Sequence, residues 1–173
     1  MPVDQNALAA SLDSLGAAGA PDGRTLEQRL DQVMTAARDM IHVDGVGLML
    51  LDEAGVLRVA GASLPAGLAL ERAQQTLDCG PGVDCVRTAG IVAVPDLAAS
   101  DDYAPVWAEL RKEGEPAVRA VLSVPVLVGT IVAGTLNALR SRPHAWEDDS
   151  VRAAEAYAGV ISALLRLGAT AQG

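Results

Sequence analysis

Two cysteines, Cys79 and Cys85, bracket the heptapeptide Cys-Gly-Pro-Gly-Val-Asp-Cys and are the only thiols in the chain. Their spacing is too wide for a redox Cys-x-x-Cys pair and one pair short of a four-cysteine zinc site. The loop is small enough for the thiols to meet. A closure this short would stabilise by only about 2 kcal/mol on the chain-entropy argument, which suits a switch better than a staple. Cys79 and Cys85 are therefore redox candidates, beside the plainer alternative of an exposed thiol at 79 and a small buried hydrophobe at 85. His42 and His144 each sit beside a turn signal without a partner at ligand spacing. Either could ligate a haem axially in principle, but the sequence offers no Cys-x-x-Cys-His word and no second ligand, and a solvated histidine accounts for each. The adjacent pairs Asp101-Asp102 and Asp148-Asp149 point apart in any regular element, so they are weak acid–base candidates. Gly-x-Ser-x-Gly, Gly-x-x-x-x-Gly-Lys and His-Glu-x-x-His words do not occur. The residues thus identify no catalytic group, no metal site and no cofactor.

Composition narrows the field further. The 173 residues, half of them apolar, suffice for one domain with a real core. Phe is absent, and two Trp and two Tyr leave few rings to stack on bases. The net charge of −9, with 13 basic against 22 acidic residues, also disfavours a nucleic-acid partner for this chain alone. Arg111, Lys112 and Arg119 are close enough in sequence for a local basic patch, but a solvated surface accounts for them equally. No apolar run reaches the ~18 residues of a membrane span, and the first residues lack a signal peptide's pattern, so the expected location is the cytoplasm. A reducing compartment argues against a structural disulfide.

The elements follow from periodicity. A short helix through Leu8, Leu12 and Leu15, then a Gly, Ala and Pro stretch at 16–23, form a loosely attached arm and linker over residues 1–24. Thr25 and Gln28 have capping-box spacing, and Leu26, Leu30, Val33, Met34, Ala37, Met40 and Ile41 give the first full helix one apolar face. Residues 46–51 and 56–60 are a hairpin, its first strand apolar on both faces and hence central. Residues 68–77 form a helix, 79–84 a turn-rich loop that no regular element holds, 91–94 a strand, and 103–112 a short helix. Residues 120–139 carry the strongest β signal, two strands around Gly129-Thr130, with Pro125 confined to an edge or a bulge. A helix over 147–167, acidic in its first turn and with Arg166 in its last, stops at Gly168 as C′ residue, leaving 169–173 as tail. Hairpin-supplied strands make this α+β with an antiparallel sheet of five to six strands, helices on both faces and the first and last helices packed together.

With that order, the words Gly80-Pro81-Gly82-Val83-Asp84, Val94-Pro95-Asp96-Leu97, Val121-Leu122-Ser123-Val124-Pro125-Val126 and Gly134-Thr135-Leu136-Asn137 resemble the GAF domains of actinobacteria, over roughly 25–167. The word Arg119-Ala120-Val121-Leu122-Ser123-Val124-Pro125 is most similar to GAF domains that precede an ANTAR domain, an RNA-binding antitermination module. That module is missing from this sequence. Ala138-Leu139-Arg140 departs from the Lys-Phe-Asp-Glu continuation of cyclic-nucleotide GAF domains, and the bilin-binding words are missing.

The resemblance implies a cytosolic sensor over 25–168 that binds a small molecule of unknown identity, or senses redox state, and signals through its first and last helices as a homodimer. It implies a cavity between the sheet and residues 68–110, lined by Leu68, Val83, Val94, Tyr103, Trp107, Leu122, Val124 and Leu136. All of these could equally be core, least so Tyr103 and Trp107, whose polar tips suit a partly open site. Two rivals stay open: a cysteine-dependent reductase resembling the free methionine sulfoxide reductases, which use three cysteines, and a ligand-free dimerisation scaffold.

Overall fold

The computed structural model describes residues 2–17 and 23–171; most of the linker expected at 16–23, and the end of the tail, lie outside them. Among the described residues six α-helices and five strands follow one another as α1 (Gln5–Ala17), α2 (Leu26–Ile41), β1 (Gly45–Leu51), β2 (Leu57–Ser63), α3 (Leu64–Leu77), α4 (Pro81–Thr88), β3 (Val92–Val94), α5 (Ala104–Leu110), β4 (Ala120–Val128), β5 (Ile131–Arg140) and α6 (Asp148–Ala171). The strands form one antiparallel sheet in the order β2-β1-β5-β4-β3. This is the α+β architecture expected, with β1 central and buried on both faces.

One face of the sheet carries α1, α2 and α6. Val46, Leu48, Leu122, Val124, Val126, Leu136 and Ala138 point to it and meet Val33, Met34, Ala37, Ile41, Tyr157, Ala158 and Ile161. The period-2 alternation of the strands and the 3.6-residue period of α2 and α6 place these residues on facing surfaces. Each large aliphatic side chain buried there contributes roughly 1.5–3 kcal/mol. α2 begins as expected: the Thr25 hydroxyl accepts from Gln28 N at 3.2 Å, and the Gln28 side chain accepts from Thr25 N at 2.9 Å. The other face carries α3, α4 and α5 over Leu70, Ala73, Val94, Leu97, Tyr103, Val106, Val121 and Leu139.

Four expectations need correction. The N-terminal segment is not loosely attached: Val3, Leu8 and Leu15 are buried in the α2–α6 core, and Ser11 Oγ lies 2.8 Å from Tyr157 Oη. The apolar side chains of α1 pack against both α2 and α6. Residues 79–84 are not all loop, since α4 starts at Pro81, with Gly80 as its N-cap at φ 144° and proline at the first helical position, where its missing N–H costs nothing. The α3 helix starts four residues before the expected 68, with Pro65 in its first turn. Finally, α6 runs through Gly168 to Ala171, so Gly168 is no C′ residue and Arg166 lies outside the last turn.

Pro125 takes the edge position expected of it, and a bulge follows just beyond. β3 pairs with Val121, Leu122 and Ser123 alone, so beyond Ser123 the outer edge of β4 has no neighbouring strand, and the register shifts between Val126 and Leu127.

Candidate functional site

On the α3/α4 face, strand register brings Gly47, Asn137, Ser123 and Val92 side by side across β1, β5, β4 and β3, with Met49, Thr135 and Pro125 in the next row. Alternation that gives the strands no buried polar side chain on the opposite face gives this one three, Ser123, Thr135 and Asn137, all wholly buried. From above, α3 lowers Glu71 and Gln74 onto them, one turn apart and also wholly buried.

Asn137 is the hub. Its Nδ2 donates to both Glu71 carboxylate oxygens at 2.9 Å, and its Oδ1 accepts from Ser123 Oγ at 2.6 Å and Thr135 Oγ1 at 3.1 Å. Gln74 Oε1 accepts from Gly82 N in the first turn of α4 at 2.7 Å, while its Nε2 faces Met49 Sδ at 3.8 Å. Helix α3 can come this close because β1 has no side chain in the way: a Cβ on Gly47 would lie 2.3 Å from Glu71 Oε1. Gly80 makes the same room for Gln74, where a Cβ would lie 2.4 Å from Oε1.

The electrostatics follow from burial. No Lys, Arg or His among the described residues forms an ion pair with Glu71. A carboxylate offering about four lone-pair sites is thus served by one amide. Desolvation pushes the Glu71 pKa up to about 8, against a smaller opposing pull from the Asn137 hydrogen bond. Glu71 is accordingly a carboxylic acid at neutral pH, able to donate as well as accept.

The thiols lie at the edge of this cluster. Both are free, Cys85 buried on α4 and Cys79 half-buried beneath α3. Burial lifts Cys85 to about 11 against the Thr135 hydrogen bond, and lifts Cys79 as well, with Asp84 adding to the rise and Arg87 opposing it. Neither environment favours the thiolate. A maleimide or disulfide reagent at pH 7.5 is expected to label Cys79 slowly and Cys85 only on unfolding; equal, rapid labelling of both by mass spectrometry would contradict the burial order.

Tyr103 and Trp107 line the outer part of the same face. Tyr103 Oη donates to Asp84 Oδ2 at 2.7 Å, and burial and that carboxylate raise its pKa. Arg119 stands 5.5 Å from the centre of the Trp107 ring and donates to both Asp96 oxygens at 2.7 Å, which holds the Asp96 carboxyl below its usual range. Two members of the suspected basic patch are thereby paired, Arg119 with Asp96 and Lys112 with Glu109.

Of the eight residues expected to line a cavity, Val94, Tyr103 and Trp107 meet on this face, and Val83 is buried in α4. Leu68 is on the outer side of α3, in a groove of about 380 Å³ shared with Arg72, Thr76, Leu110 and Lys112. Leu122, Val124 and Leu136 face α2 and α6. His42 ends α2 in a left-handed conformation, whereas His144 stacks edge-on against Trp146 at 5.0 Å. Among the described residues no three His, Cys, Asp or Glu side chains gather as metal ligands. Glu71 and Gln74 are absent from the expected site, and Ser123, Thr135 and Asn137 stand in the sequence only within words that carry the resemblance. The available signal was polarity on strands otherwise apolar on both faces.

The family model for the GAF domain matches residues 25–165. Similar solved structures include the GAF domain of a phosphoenolpyruvate-protein phosphotransferase from Acinetobacter (17% identity, 95% of this chain and 93% of that one, TM-score 0.72). Another is free methionine-R-sulfoxide reductase from Neisseria meningitidis with its substrate (16%, 97% and 95%, TM-score 0.71). A third is the photoproduct state of a GAF domain from Synechocystis (18%, 86% and 98%, TM-score 0.66). At these identities the likeness concerns the fold. No curated protein matches the chain. Among the described residues no helix is long and apolar enough to cross a membrane.

Proposed function

Because the chain belongs to the GAF domain family, we propose that it is a regulatory module that binds a small molecule on the α3/α4 face of its sheet and passes that event to α6. The observation that carries the reading is the wholly buried set Glu71, Gln74 and Asn137. Such groups stabilise a core less well than aliphatics of the same volume, since each must be desolvated, and perturbed buried groups of this kind cluster at functional sites. A neutral carboxylic acid beside two carboxamides presents donors and acceptors together. That combination matches a planar, polar ligand rich in N–H and C=O groups, which would replace the internal hydrogen bonds one for one.

Strand β5 offers the route outward. Asn137 faces the polar cluster, while its neighbours Leu136 and Ala138 face α2 and α6. A shift of β5 on ligand entry therefore reaches both helices through adjacent residues. The raised thiol pKa values support binding over cysteine chemistry. The likeness of the Gly80–Asp84 and Arg119–Pro125 words to GAF domains preceding an RNA-binding module supports a transcription-related output.

Native mass spectrometry of protein purified from its own host should reveal a non-covalent mass that is lost on denaturation. Calorimetry with the released compound, in buffers of different ionisation enthalpy, should show proton exchange near pH 7.5 that Glu71→Gln abolishes. An empty protein, or a ligand whose binding ignores both Glu71→Gln and Asn137→Ala, would sink the proposal.

A further inference from the structure

The buried cluster on the α3/α4 face holds more hydrogen-bond donors than it can use. Ser123 and Thr135 direct their hydroxyl protons to Asn137 Oδ1, Asn137 Nδ2 donates to Glu71, and Gln74 Oε1 is taken by Gly82 N. Two donors are left over. Gln74 Nε2 carries two hydrogens, and the one contact it makes among the described residues is a thioether, Met49 Sδ at 3.8 Å, which is a weak acceptor. The proton that Glu71 keeps at neutral pH has no acceptor either, since both of its hydrogen bonds come from an amide N–H. Glu71 and Gln74 are wholly buried. An oxygen with a spare lone pair is common in a core, whereas a buried donor without an acceptor is rare. A ligand suited to the cluster therefore brings acceptors.

The surroundings favour acceptors that carry negative charge. The first turn of α4, the positive end of its dipole, points at the same place: Gly82 N is bonded to Gln74, and a Cβ on Gly82 would lie 3.1 Å from Asn137 Nδ2 and from Gln74 Oε1. Glu71 and Gln74 stand three residues apart on one face of α3, where Cβ atoms lie about 5–6 Å from each other. The two oxygens of one carboxylate span such a gap. Because Glu71 holds its proton, an incoming carboxylate meets a donor and not a like charge, and the two carboxyl groups share that proton as paired carboxyls do in a dyad. Met49, unbranched and flexible, is the neighbour best able to withdraw from Gln74 and admit an oxygen.

The geometry points to an organic acid as the ligand, its carboxylate accepting from Glu71 and Gln74 at the N-terminus of α4. This inference rests on the ligand site proposed above and names the group that the site recognises.

The test sets acetate, the smallest probe with that group and a methyl, against acetamide, which has the same shape without the charge. Titrated into the whole isotope-labelled chain at pH 7, acetate should shift the Gln74 side-chain and Gly82 amide resonances with a Kd on the order of 10 mM, in keeping with so small a ligand. Acetamide should bind about tenfold more weakly or worse. Gln74→Met removes the donor and keeps the length of the side chain, so acetate binding should fall about tenfold or more while circular dichroism shows the helices intact. At pH 9 wild-type binding should fall about tenfold as Glu71 ionises, and in Glu71→Gln, which donates at every pH, it should not. The thiols of Cys79 and Cys85 and the Tyr103 phenol all titrate above their ordinary values, and Asp84 is engaged by Tyr103, so Glu71 is the group that changes charge across that interval. Acetamide binding as well as acetate would leave the ligand site standing and remove the carboxylate. Acetate that shifts no resonance of the cluster, or binding indifferent to Gln74→Met, would overturn the inference, and the native mass spectrum then judges the site on its own.

Discussion

Glu71→Gln is expected to stabilise the protein by a few kcal/mol at pH 8 and to leave it almost unchanged at pH 5. The sign follows from linkage. In the unfolded chain Glu71 titrates near the ordinary carboxyl value of about 4.5, whereas burial in the fold moves it to about 8. Below pH 4.5 both states hold the proton and the buried carboxyl carries no ionisation penalty. Between 4.5 and 8 the folded state must take up a proton that the unfolded state has lost, so stability declines by roughly 1.4 kcal/mol per pH unit. Above 8 the folded state ionises and the decline levels off. Glutamine keeps the shape and an acceptor for Asn137 without titrating. Urea midpoints at pH 5, 6.5 and 8 should therefore diverge between the two proteins as pH rises, and parallel curves would remove Glu71 as the cause. Asp96 cannot imitate the effect: its pKa is lowered by Arg119, so its contribution is lost only as pH falls through the acid range.

Gly80→Ala should destabilise the protein by about 3 kcal/mol or more. At φ 144° and ψ 173° the backbone occupies a region that is essentially glycine's alone, which costs of order 1–3 kcal/mol for other residues. The new Cβ would in addition lie 2.4 Å from Gln74 Oε1 and 2.6 Å from its Cγ, in a place where Gln74 is wholly buried and cannot swing away. Relief requires α4 to move, breaking the Gly82 to Gln74 bond that joins it to α3. Hydrogen exchange should accelerate in α4 before it does in β4 and β5. Exchange that stays uniform, with less than about 1 kcal/mol lost in a urea titration, would mean that the turn relaxes freely.

The order of helices and strands was legible because periodicity reports which face of an element is covered. The capping box at Thr25 and Gln28 and the apolar run of β1 carried over directly. The α4 helix is hidden in the sequence because Gly80, Pro81 and Gly82 together read as a turn, although a proline just inside a helix start is also a recognised helix signal. The site was less legible. Leu122, Val124 and Leu136 are apolar strand residues, and only register decides which face such residues serve. On β5 one position separates Leu136 from Asn137 and the two lie on opposite sides of the sheet. Glu71 and Gln74 look from sequence like the solvent side of an amphipathic helix. Nothing in α3 announces that Gly47 opposite has cleared a space for them.

The shortness of β3 bears on a different hazard. Past Ser123 the edge of β4 is open, and an open edge with Val124, Val126 and Val128 along it is a template on which a strand from another molecule could polymerise. Pro125 removes the N–H donor at the second position of that edge, and the bulge beyond it bends the remainder out of line. A proline two residues past the last β3 pairing thus works against the addition of a strand from another molecule at that edge.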